Sequence, residues 1–148
     1  MTPRARNFSE IFHLGVAVKD NFAQLVWMTI ICVTLGEVAG SFWFYMSLMG
    51  VEIVSFSIHQ RRHHSEHGWF ADPAWILVGL FIAVFASVVY VADQHPADPL
   101  MAAIIGTQIV SFAIHHSPLT DHRPRLGWLG SVPIMAIGFL IAAAPLFF

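Results

Sequence analysis

After residue 21, no polar interval in this 148-residue chain is longer than about a dozen residues, and nearly everything between is apolar. Polar intervals so short cannot fold a separate core, whereas apolar stretches of about 20 residues match the length needed to cross hydrocarbon. Composition agrees: 57% of the residues are hydrophobic and 11% are charged, and the mean hydropathy is +0.68. The expected fold class is an all-α integral membrane protein without a soluble domain.

Three spans stand out, at 73–92, 99–116 and 128–148. The stretch 22–60 is too long for one ordinary span, and "GEVAGS", residues 36–41, interrupts it with two glycines and a glutamate suited to a tight connection. Splitting there gives spans at 22–38 and 42–60, five in all, forming a single membrane domain over 22–148. Residues 1–21 lack an apolar core with a cleavage site, so they are expected to be a retained cytoplasmic segment. Phe8, Ile11, Phe12 and Gly15 share a helical face there, which predicts a short helix lying on the membrane surface.

Charge tests the split, because cytoplasmic segments collect Lys and Arg. The basic residues are Arg4, Arg6 and Lys19 before the first span, Arg61 and Arg62 after the second, and Arg123 and Arg125 after the fourth; "DQHPAD" between the third and fourth has none. Five spans, with the N-terminus cytoplasmic and the C-terminus on the opposite side of an inner or plasma membrane, place every one of them inside. A four-span chain strands some of them outside.

An internal repeat adds a second constraint. "GVEIVSFSIHQ" (50–60) and "GTQIVSFAIHH" (106–116) differ only at the second, third, eighth and last positions, and each is followed by Gly-Trp about ten residues on. The pattern predicts a tandem duplication of a two-span hairpin, preceded by one extra span, with both copies running the same way through the membrane. Parallel copies imply a pseudo-twofold axis along the membrane normal, which brings equivalent residues of spans two and four face to face.

The polar positions of the repeat are Glu52, Ser55 and His59 in one segment and Gln108, Ser111 and His115 in the other. Spacing of i, i+3, i+7 puts each set on one helix face. A carboxylate in hydrocarbon costs several kcal/mol unless protonated, paired or hydrated. Glu52 is therefore the sharpest candidate for a proton or ion pathway, with Ser55, Gln108 and Ser111 completing its shell; the plainer alternative is a hydrogen bond that fixes helix packing. Glu37, beside the proposed turn, reads as a hydrated interfacial charge, and Cys32 as a core thiol.

His59 and His115 stand at matched depth, an arrangement that suits bis-histidine ligation of haem b or half of a metal site. Histidines crowd the predicted inner side: His13, His59, His63, His64, His67, His115, His116 and His122, with only His95 opposite. His59, His63 and His67 stack at i, i+4, i+8 on a continued helix, where with His64, His115, His116 and Glu66 they offer ligands to Zn, Mn or Fe. A pH-sensitive, partly cationic rim is the plainer alternative.

"HHSEH" (63–67) fits the H-x-x-E-H pattern of zinc proteases, but those enzymes build the site inside a large soluble fold. "HQRRHH" (59–64) resembles one histidine box of the membrane di-iron desaturases and hydroxylases, which implies a pair of irons; "HHSPLTDH" (115–122) is only a partial second box where that family has several. No phosphate-binding loop, Ser/His/Asp order or cysteine pair is present, so an enzyme is not the leading expectation. The net charge of −2 and the scattered basic residues give no case for nucleic acid. Trp69, Trp75 and Trp128 fit an inner aromatic belt, and Trp43 and Tyr45 an outer one.

The expectation is a proton- or divalent-metal-handling unit at the interface of spans two and four. So few helices enclose a pathway only as a homo-oligomer. The alternatives are an accessory or haem-binding subunit of a larger membrane complex and, third, a metal-dependent membrane oxygenase.

Overall fold

The structure, a computed structural model, describes residues 8–63, 72–115 and 131–147, with side chains at 24–59, 61, 72–115 and 131–147. Over these residues the chain forms five helices and no strand: α1 (Phe8–Ala39), α2 (Phe42–His63), α3 (Pro73–Ala92), α4 (Ala97–His115) and α5 (Val132–Phe147). Three of them are long and apolar enough to cross a membrane: Phe42–His59 of α2, all of α3 and all of α4. Gln24–Ala39 of α1 and the whole of α5 are shorter apolar helices.

The expected break at 36–41 falls at Gly40. Its φ of 63° is left-handed, where a Cβ is disfavoured. Gly40 N–H donates to the Glu37 carbonyl at 3.1 Å and Ser41 N–H to the Gly36 carbonyl at 3.2 Å, the bonds of a Schellman C-cap. Ser41 then caps the next helix, its Oγ accepting from Phe44 N–H at 3.4 Å. One serine thus ends α1 and starts α2. At α3, Asp72 accepts from Ala74 N–H at 2.8 Å and Pro73 occupies the first turn, where its missing donor is harmless.

The expected surface helix near the N-terminus is not separate from the first span. α1 runs unbroken for 32 residues. The reason is local: between Gly15 and Gly36 there is neither glycine nor proline, and a single Gly15 within a helix costs only about 1 kcal/mol. The expected start of the last span at Trp128 lies outside the described residues, which resume at Ser131.

Helices α2 and α3 pair closely, as do α4 and α5, and both contacts rest on small residues. Any Cβ at Gly50 would collide with the backbone of Gly79 and Ala83, and any Cβ at Gly106 with Gly138 and Ala142. Glycine is needed at these two points because the backbones themselves touch. Gly50 and Gly106 head the two matching segments, and Gly79 and Ala83 stand to each other as Gly138 and Ala142 do. The two hairpins are therefore built alike.

Large apolar side chains face outward, including Leu77, Phe81, Val84 and Val88 of α3, while Gly79, Ala83, Ala86 and Tyr90 face in. The interior gathers Cys32, Leu35, Phe44 and Leu48 with the buried polar residues Gln24, Ser47, Glu52, Ser57, Thr107 and Ser111. An apolar exterior around a small-residue and polar interior is compatible with a membrane protein.

Candidate functional site

Glu52 lies on the buried face of α2 and is only 5% exposed. Across the interface, α4 supplies two donors. Gln108 Nε2 donates to Glu52 Oε1 at 2.6 Å, and Ser111 Oγ donates to Oε2 at 3.1 Å. They reach the carboxylate together because 108 and 111 are one helical turn apart on the same face. Each oxygen of the carboxylate therefore receives a neutral donor.

A third helix joins through a residue that sequence reasoning passed over. Gln24 of α1 is buried and donates from Nε2 to Ser111 Oγ at 3.2 Å. The resulting chain, Gln24 to Ser111 to Glu52 with Gln108 alongside, ties α1, α4 and α2 at one level. A signal was present: Gln24 is the one amide in "FAQLVWMTIICV", and with Met28 and Cys32 it sets an i, i+4, i+8 face that is buried throughout. Ser55 is half-buried on α2 and makes none of the bonds to Glu52.

A narrow cleft lies beside the carboxylate on the side away from α4, lined by Gln24, Met28, Thr29, Met49, Glu52 and Phe56. Its free interior is about that of one water molecule, and Gln24, Thr29 and Glu52 give such a water polar partners.

Two turns along α2 from Glu52, a rise of about 10 Å, stands His59, and His115 holds the same place on α4. Their rings meet edge to face, with centroids 3.9 Å apart and planes at 62°. Both are half-buried at the C-terminal ends of their helices. In this arrangement the rings touch and leave no slot for a flat macrocycle. Ligation of one haem iron by both would require α2 and α4 to part at this level.

The remaining expected ligands are not brought together by the described residues. His63 closes α2, but its side chain lies outside them, as do His64, Glu66, His67 and His116. Among the described residues no group of three or more His, Cys, Asp or Glu is placed to hold a metal ion. Glu37 is exposed beside the α1–α2 turn, and Cys32 is a buried free thiol. At the opposite end of the bundle from the histidine pair, His95 stacks on Tyr90 at 4.6 Å with an 8° tilt.

Two pairs of equivalent positions therefore meet across α2 and α4: 52 with 108 and 59 with 115. Ser111 and Ser55 break the symmetry, because α1 reaches Ser111 and has no counterpart at Ser55.

Comparison with known protein families, with characterised proteins and with solved structures found no match.

Proposed function

We propose that this chain is an integral membrane protein of five spans that takes up and releases a proton at Glu52, working as a homo-oligomer with its N-terminus in the cytoplasm. Two hairpins, α2–α3 and α4–α5, derive from one duplicated unit, and α1 is the added span. The equivalent contacts at Gly50 and Gly106, and the meeting of equivalent residues across α2 and α4, support the duplication and its pseudo-twofold axis.

One observation carries the functional reading. Among the described residues, Glu52 is a buried carboxylate held by neutral donors alone, one of them a hydroxyl. A buried carboxylate kept only for packing is most stable with a cationic partner or as an amide. Here the carboxyl group has a partner in either protonation state. Ionised, Glu52 accepts from Gln108 and Ser111. Protonated, it donates to Ser111 Oγ, which rotates its own proton elsewhere and accepts through two lone pairs, one already used by Gln24. The cleft offers a relay on one side, and His59 and His115 stand between Glu52 and the proposed cytoplasmic surface.

The test is proton movement into liposomes holding the purified chain, followed by an enclosed pH-sensitive dye under an imposed potential. Glu52→Gln keeps the hydrogen-bonding shape of the node and removes its titrating proton. Flux that falls to the level of empty liposomes in Glu52→Gln supports the proposal, and flux equal to wild type overturns it.

A further inference from the structure

The contact of His59 with His115 holds two nitrogen-bearing rings from different helices against each other. Imidazole is the common ligand of Zn²⁺, Cu²⁺ and Ni²⁺, and these ions bind its nitrogen at about 2.0–2.1 Å. Two ligand nitrogens on one tetrahedral ion then lie about 3 Å apart, and these two rings, with centroids 3.9 Å apart, are already neighbours on that scale. The same pair of positions carries histidine on both helices.

We infer that His59 and His115 form a binding site for a single divalent transition-metal ion of the zinc, copper or nickel class, clamping α2 to α4 at the ends of the two helices. α2 continues as helix through position 63, which lies on the face of position 59 one turn further along. Water completes the shell of the ion. Hard ions such as Mg²⁺ and Ca²⁺, which take oxygen ligands, are excluded by the donor type. Only the site's position, at the mouth of a route to Glu52, rests on the proposed function; the ion binding itself does not.

The experiment uses the full chain, purified in mild detergent through a tag without histidine. Zn²⁺ binding is measured by equilibrium dialysis, and thermal unfolding is followed with and without the ion. The expected result is one ion per chain and a rise in unfolding temperature that grows with zinc concentration, because the ion binds only the folded pair. His59→Gln and His115→Gln each weaken binding by about tenfold or more, and the double variant loses little beyond either single one, since the two act as a unit. His115→Cys keeps zinc where His115→Gln loses it, which separates ligation from packing and guards against a variant that fails to fold. Glu52→Gln binds zinc as wild type does, so a failure of the proton proposal leaves this result standing. Unchanged zinc affinity in the double variant, zinc loss in Glu52→Gln, or no zinc bound by the wild-type chain would overturn the inference.

Discussion

Gln108 donates to Glu52 at 2.6 Å, and the two residues hold the same place in the two matching segments of the chain. A carboxylate and its amide counterpart thus face each other across the α2–α4 interface. The pair is asymmetric in charge although the two segments match in sequence.

This pairing makes Gln108 harder to lose than Glu52. Gln108→Leu leaves the carboxylate buried with Ser111 as its remaining donor, and is expected to destabilise the fold by about 2 kcal/mol. Replacing both partners, in Glu52→Leu with Gln108→Leu, removes the uncompensated polar group and restores stability toward wild type. Denaturant unfolding in detergent of the two variants checks the order; a double variant less stable than Gln108→Leu alone contradicts it.

Backbone contact at two glycines makes the hairpins comparably sensitive. Gly50→Val and Gly106→Val each force α3 or α5 away from its partner and are expected to cost about 1–3 kcal/mol. The unfolding midpoints of both should drop by similar amounts. Gly40→Ala meets no neighbour and suffers only the left-handed backbone, so about 1 kcal/mol is expected.

Gln24 acts through Ser111. Gln24→Leu is expected to cost under about 1 kcal/mol, since hydrogen bonds between helices in a bilayer average near that. Its effect should largely vanish in a Ser111→Ala background, where the shared partner is absent. Strict additivity in a double-mutant cycle would show that the two do not interact.

The proposed orientation places Arg61 in the cytoplasm and His95 on the far side. With Cys32→Ala as background, a cysteine introduced at position 95 is expected to react with an impermeant thiol reagent in intact cells. One at position 61 should react only after permeabilisation. The reverse pattern would invert the topology.

Much of this was legible in the sequence, for identifiable physical reasons. Length and breakers mark α2, α3 and α4, because "GEVAGS" carries the one glycine that a left-handed turn requires and Pro73 sits where a helix tolerates it. The repeat points to Glu52, Gln108, Ser111, His59 and His115, because its matched positions 52 and 108, and 59 and 115, meet across α2 and α4. Gln24 escaped for the converse reason: α1 has no copy in the chain, so nothing in the repeat points to it. The same helix explains why Ser111 and not Ser55 joins the node, an asymmetry that a duplicated pattern cannot express. The continuity of α1 is not visible in the sequence, because amphipathic spacing near the N-terminus does not distinguish a separate surface helix from the first turns of a long one.

On the proposed function, the Glu52 carboxyl gains and loses a proton inside the bundle. Infrared difference spectroscopy of the chain in lipid, taken between acidic and alkaline buffer, observes that group directly through its carboxylic C=O stretch. A carboxyl band is expected that appears on acidification, is absent in Glu52→Gln, and shifts in Gln108→Leu as its hydrogen bond is removed. A spectrum in which wild type and Glu52→Gln show the same bands at every pH would contradict it.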